Sequence, residues 1–182
     1  MDWFDAVLLG VIEGLTEFLP VSSTGHLILL GDLLGHHGEA AKSLDIVIQL
    51  GAIAAVAVYF RGRLVQLGGG LLRRKPADLQ LLGALLAGFV PTAIVGLALH
   101  RIVKAHLFGP VPVAAALVVG GIVMVGIERW RSQRQITGAE GLDQVTVRRG
   151  LVIGLSQCLS LWPGSSRSMT TIVGGQLCGL ST

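Results

Sequence analysis

The sequence predicts an all-α integral membrane protein, and three observations predict it. Charged residues make up 14% of the chain against 52% hydrophobic, with a mean hydropathy of +0.71, where a water-soluble domain carries about 25% charge. Residues 44–60, 79–99 and 110–127 are apolar stretches long enough to cross a hydrocarbon core of about 30 Å at about 1.5 Å per residue. Two more apolar stretches, about 4–34 and 150–180, are interrupted at their centres by proline, glycine, hydroxyls and charge. No lipid-facing helix tolerates such a break, because unpaired backbone groups survive at membrane depth only against protein or a water-filled cavity. Each broken stretch is therefore expected to be a re-entrant helix, turn and helix, so that two hairpins flank three transmembrane helices.

In the first broken stretch, Glu13 and Glu17 of EGLTEF are four apart, which on a helix puts their Cβ atoms about 6 Å apart on one face, where like charges repel. Either one is protonated or a cation sits between them, and oxygen-only ligation with room for water and substrate phosphate suits Mg²⁺ or Ca²⁺. A pair of acids at an aqueous edge is the plainer alternative, but ionisable groups inside apolar segments are usually functional. In PVSSTGH, Pro20 breaks the incoming helix, Gly25 frees the backbone, and Ser22, Ser23 or Thr24 caps a second helix through residues 27–34. Its N-terminus then points into the protein and favours an anion, most naturally a phosphate. Ser22 or Ser23 and the imidazole of His26 fall within one turn, as a nucleophile and its proton-transfer partner require. Interhelical hydrogen bonding is the plainer use of such residues.

The cations cluster between the apolar stretches. Arg61, Arg63, Arg73, Arg74 and Lys75 fall within residues 61–80, and Arg129, Arg131, Arg134, Arg148 and Arg149 within 128–149. Both segments read as cytoplasmic loops by the positive-inside rule, with a short outer loop around residues 101–108. Without interleaved aromatics the cations mark topology rather than a nucleic-acid surface. Asp2 and Asp5 at the start, and Glu13 within the first apolar run, do not make a cleavable signal peptide.

The second broken stretch repeats the chemistry of the first. Gly14-Leu15-Thr16-Glu17 aligns with Gly154-Leu155-Ser156-Gln157, and Ser22-Ser23 with Ser165-Ser166 after a three-residue gap. Coincidence is the competing explanation for so short a match. With three spans between them the hairpins enter from opposite faces, giving one membrane domain over residues 1–182 built as an inverted-topology repeat, the first copy about 1–127 and the second starting about 150. Pro163-Gly164 breaks the helix, Ser165, Ser166 and Ser168 offer hydroxyls, and Arg167 is shaped to grip phosphate oxygens bidentately. A salt bridge from Arg167 to Glu13 or Glu17 is the alternative, and the two uses are compatible. Thr170 and Thr171 serve equally well as donors or as helix-face residues. His36, His37, His100 and His106 read as solvated interfacial residues, and Cys158 and Cys178 as small packing residues rather than a disulfide or metal ligands. Two inward helix N-termini, hydroxyls, one histidine, one arginine and two glutamates make a phosphate or diphosphate site inside the membrane, so the substrate is expected to be lipid-linked.

The strings EGLTEFLPVSSTGH (residues 13–26), VIQLGAI (47–53) and PGSSRSMTT (163–171) closely resemble the bacterial undecaprenyl-diphosphate phosphatase family, also called bacitracin-resistance proteins. The resemblance implies hydrolysis of undecaprenyl diphosphate to undecaprenyl phosphate and inorganic phosphate in the bacterial plasma membrane, recycling the carrier lipid for peptidoglycan synthesis. It also implies a divalent cation, Mg²⁺ or Ca²⁺, a site opening to the outer face, and a homodimer. Carried over residue by residue, the two family glutamates fall on Glu13 and Glu17, which support the metal or the histidine. The serine that attacks phosphorus falls on Ser23, its proton-handling histidine on His26 and its phosphate-steadying arginine on Arg167. Ser23 and His26 both remain candidates for the nucleophile. Met169 stands where the family usually carries glycine, and family members are longer, so three further spans are expected beyond the second hairpin. The other class of integral lipid phosphatase fits less well, since its early lysine and arginine-proline motif has no counterpart here. A polyprenyl-phosphate carrier with the same midplane site, or a small structural membrane subunit, are the competing functions.

Overall fold

The computed structural model describes residues 3–36, 39–134 and 138–181. Among them the regular structure is helical, with one isolated parallel bridge between Ala139 and Leu180. Asp2 and His37 lie outside the described residues.

Helix α1 (Trp3–Thr16) ends where Thr16 turns its hydroxyl back onto the Ile12 carbonyl (2.6 Å), four residues before Pro20. A tight turn, with the Val21 amide donating to the Leu19 carbonyl at 2.8 Å, leads into α2 (Ser23–Leu33). Ser22 caps α2 through the Gly25 amide (3.2 Å) while holding a left-handed φ of 61°. At the other end of this helix pair, His36 Nε2 donates to Asp5 Oδ2 at 2.8 Å. The solvated role expected for His36 is thus corrected: the turn after α2 brings it onto the first turn of α1, where it ties the two helices together.

Helix α3 (Glu39–Tyr59) runs into α4 (Arg61–Leu72) with a bend of 68° around Phe60. The basic stretch expected to be a loop from residue 61 is therefore helical as far as Leu72. Arginine, leucine and glutamine are good helix formers, and no proline intervenes before Pro76. The chain reverses at Arg74 (φ 52°), with the Lys75 amide returning to the Gly70 carbonyl at 2.9 Å. Pro76 then opens α5 (Pro76–His106), its fixed φ suiting the first helical position and forcing Lys75 to be extended.

At 31 residues, α5 is about 46 Å long, well beyond the expected 79–99. It absorbs most of the outer loop expected at 101–108, since Lys104 and His106 complement the negative end of the helix dipole there. Only Leu107–Gly109 separate it from α6 (Pro110–Gln133), which also starts on proline. Helices α5 and α6 are long and apolar enough to cross a membrane, and the bent α3–α4 pair is a third candidate.

Beyond a 3-10 turn at Leu142–Gln144 comes α7 (Val147–Gln157), capped by Thr146, then a 3-10 turn at Cys158–Leu161. Helix α8 (Arg167–Leu177) follows, capped by the Ser166 hydroxyl on the Met169 amide (3.2 Å). The most extensive helix contact joins α5 and α7. There Gly150 and Gly154, four apart, lie on Ala84 and Gly88: a Cβ on Gly150 would stand 2.2 Å from the Ala84 carbonyl oxygen, and one on Gly154 2.3 Å from that of Gly88. Small residues at this spacing let two helices touch backbone to backbone where lipid supplies no hydrophobic drive to hold them together. Thr92 adds a hydrogen bond to the Gly154 carbonyl at 3.0 Å. The C-terminus of α8 is held by Arg131 of α6, which donates to the carbonyls of Gln176 (2.8 Å) and Leu180 (3.3 Å). That cation, read from sequence as a marker of topology, also satisfies two carbonyls at a helix end.

Candidate active site

The two breaks meet. Gly25, in the first turn of α2, lies against Gly164, whose φ of 99° suits glycine, and a Cβ on Gly164 would stand 2.5 Å from the Val113 carbonyl oxygen of α6. This contact leaves no room for side chains at the two tips, so the first turns of α2 and α8 converge on one cavity of about 160 Å³. Serines and Thr24 line it from both helix starts, with Glu17 and Arg167 on its wall.

Glu17 links the two halves. One carboxylate oxygen accepts from Arg167 Nη2 at 2.9 Å, and the other accepts from the Ser23 hydroxyl. Ser168 donates its hydroxyl to the Leu19 carbonyl (2.9 Å) and pairs with the Ser166 hydroxyl (2.8 Å), a second tie between residues about 150 apart in sequence. Ser23 is buried, whereas the Arg167 side chain is 61% exposed and Glu17 is 23% exposed. The arrangement presents a hydroxyl already hydrogen-bonded to a base, a guanidinium at the mouth, and two helix starts whose amides and dipoles favour an anion.

The other expected site residues divide. Ser22, Thr24 and Ser165 line the cavity, and Ser22 and Ser166 spend their hydroxyls capping their helices. Thr170 and Thr171 donate to the Arg167 carbonyl at 3.0 and 2.7 Å, which is the helix-face use. Glu13 is fully buried and is not among the residues that line this cavity, whereas Glu17, whose amide donates to the Glu13 carbonyl at 2.8 Å, is. His26 lines an adjoining cavity. Its Nδ1 lies 2.8 Å from the Ser22 carbonyl, which can only accept, so Nδ1 carries the proton and a neutral ring keeps Nε2 as an acceptor. Phe108, Ser160 and Leu161 also line the main cavity and were not singled out from sequence; the Gly109–Pro110 break beside Phe108 is the one signal that pointed there.

Among the described residues no three His, Cys, Asp or Glu side chains gather as a metal cluster. The donors at the cavity nevertheless fit a hard cation: Mg²⁺ takes one or two carboxylates and completes its shell with water and substrate phosphate. Glu17, beside the hydroxyls of Ser22, Ser23 and Ser165, supplies that kind of oxygen surface.

The "Undecaprenyl-diphosphatase" of Sorangium cellulosum (strain So ce56) is 66% identical over 182 residues, covering all of this chain and 59% of that protein. The protein of the same name from Ectopseudomonas mendocina (strain ymp) is 48% identical over 98% of this chain and 63% of its own length. That of Pseudomonas aeruginosa (strain UCBPP-PA14) is 46% identical over the whole chain and 65% of its own length. The chain thus spans about three fifths of the length of these curated relatives. The family described as "Bacitracin resistance protein BacA" matches residues 6–182, and the chain belongs to that family.

Proposed function

We propose that this chain hydrolyses undecaprenyl diphosphate to undecaprenyl phosphate and inorganic phosphate in the bacterial plasma membrane, returning the carrier lipid to cell-wall synthesis and so opposing bacitracin. The observation that carries this reading is the shared carboxylate of Glu17, bonded at once to the Ser23 hydroxyl and to Arg167 on one serine-lined cavity. In it, Glu17 accepts the proton as Ser23 Oγ bonds to the terminal phosphorus and the bond to the bridging oxygen breaks, releasing undecaprenyl phosphate. Water then cleaves the phosphoserine and frees inorganic phosphate, with Glu17 again moving the proton. Arg167 and the amides at the starts of α2 and α8 neutralise the phosphate oxygens. Ser23 is preferred to His26 as nucleophile because Ser23 lines this cavity and His26 does not. A bound Mg²⁺ or Ca²⁺ would be held by Glu17, with Glu13 as the second expected carboxylate, and would neutralise charge on the phosphate oxygens.

The same reading takes α1–α2 and α7–α8 as re-entrant hairpins, two copies of an inverted repeat in a single membrane domain. The serine caps Ser22 and Ser166 and the meeting of both breaks at one polar cavity support it. The cavity then opens to the outer face, beside the α5–α6 turn, and the basic segments lie inside. A homodimer is part of the family expectation.

The test is phosphate release from undecaprenyl diphosphate by the purified chain in detergent, with Mg²⁺ or Ca²⁺ and with chelator. Cation-dependent release that Ser23→Ala and Glu17→Gln both lose is expected. A carrier binds polyprenyl phosphate without releasing phosphate, so binding that survives Ser23→Ala with no release from the parent chain overturns the enzymatic reading.

A further inference from the structure

Gln157, the last residue of α7, does not line the serine-lined cavity, yet it is bonded to the helix turn that presents Arg167. Its Nε2 donates to the Thr171 hydroxyl oxygen at 3.0 Å, and the Thr171 hydroxyl donates to the Arg167 carbonyl at 2.7 Å. A carbonyl oxygen only accepts, so Thr171 commits its one proton there and its oxygen is left to accept from an amide. An ionised carboxylate could not take the place of that amide, because it has no proton to give. Gln157 nevertheless aligns with Glu17 in the match between the two broken stretches. Arg167 is thus held at both ends from matching positions: Glu17 accepts from its guanidinium at 2.9 Å, and Gln157 reaches its backbone through Thr171. The Ser160 hydroxyl in turn donates to the Gln157 carbonyl at 2.7 Å, and Ser160 lies on the cavity wall.

We propose that Gln157 is a positioning residue for Arg167, a proposal that rests on the phosphatase reading above. The Arg167 side chain is largely exposed, so packing does little to fix it, and Glu17 is its partner across the cavity. That partner weakens as the reaction proceeds. When Glu17 takes the Ser23 proton its charge is lost, and a hydrogen bond without ionic assistance is roughly half as strong. The first turn of α8 must then keep the guanidinium aimed at the phosphate oxygens, and the Gln157–Thr171 chain fastens that turn to α7. Its contribution therefore falls on the transition state more than on the bound substrate, for which Glu17 is still ionised.

The test is turnover of undecaprenyl diphosphate by the purified chain, with kcat and KM measured separately. Gln157→Met keeps the length of the side chain and removes the donor, while Thr171→Val keeps the shape and removes the hydroxyl. Gln157→Met should lower kcat about fivefold, the scale of one neutral hydrogen bond, with KM nearly unchanged, and Thr171→Val should lower kcat at least as much. Thr171→Ser, which retains the hydroxyl, should stay near the parent. Gln157→Met combined with Thr171→Val should be no slower than Thr171→Val alone, since Gln157 acts through Thr171. In an Arg167→Lys background Gln157→Met should have no further effect, because an ammonium offers no fork to aim. Losses that multiply in the combined variant, an undiminished loss in the Arg167→Lys background, or parent-like kcat in Gln157→Met each overturns the positioning role. No release from the parent chain overturns the phosphatase reading and this proposal with it, whereas release that is indifferent to Gln157 removes the proposal alone.

Discussion

Gly154→Ala tests whether the α5–α7 contact holds α7 in place. The added Cβ would lie 2.3 Å from the Gly88 carbonyl oxygen, whereas ordinary contact begins near 3.4 Å, so α7 must retreat by about 1 Å along its most extensive interface. The obstacle is backbone on a 31-residue helix, which cannot swing aside as a side chain can. Overpacking of this kind costs about 1–3 kcal/mol, while alanine gains about 1 kcal/mol over glycine in a helix that has room for it. Gly51→Ala, with nothing within 4 Å of its Cβ, is the reference. Both variants share that propensity gain, so unfolding followed by tryptophan fluorescence in mixed detergent micelles should place Gly154→Ala about 1–3 kcal/mol below Gly51→Ala. Activity should fall further than stability explains, because α7 carries the turn that positions Arg167. If Gly154→Ala proves as stable as Gly51→Ala, backbone contact between these helices is not what joins them and the packing argument is wrong.

Other substitutions separate chemistry from folding. Arg167→Ala should cost no more than about 1 kcal/mol of stability, since the guanidinium is largely exposed, yet lower phosphate release about 10²–10³-fold by removing a preorganised donor to the phosphate. Arg167→Lys should restore only part of that rate because an ammonium cannot bind two oxygens in a fork; full recovery would show that charge alone suffices. Ser166→Ala removes the cap of α8 and should cost about 1 kcal/mol, with Ser166→Asn recovering most of it in the same unfolding assay. Cys158→Ala and Cys178→Ala should keep turnover near that of the parent chain; loss with intact folding would give these thiols a role beyond packing.

The breaks were legible in the sequence because proline, glycine and serine act locally: Pro20 and Pro163 stop helices, and Ser22 and Ser166 start them. Arg167 was expected to meet an anion, and which glutamate it meets depended on geometry that spacing does not contain. The four-residue interval of Glu13 and Glu17 survives in the helical bond from the Glu17 amide to the Glu13 carbonyl (2.8 Å), yet Glu17 lines the cavity while Glu13 is fully buried, a difference that spacing does not contain. Helix α4 was hidden because a run of cations reads as loop when charge is used to assign topology. The glycines of α7 were countable, but only the crossing of α5 and α7 shows that Gly150 and Gly154 are the ones in backbone contact.

The ties from Arg167 to Glu17 and from Ser168 to Leu19 span 150 and 149 residues. Synthesis at about 5–20 residues per second therefore separates the emergence of these partners by roughly 8–30 s. Throughout that interval the α1–α2 segment exists with Leu19 and Glu17 lacking the groups of α8 that later bond them. Such a segment is poorly suited to dwell in hydrocarbon, where unmet polar groups cost several kcal/mol each. Its final packing must wait for α8, so residues around Glu17 are completed only after partners made about 150 residues later arrive.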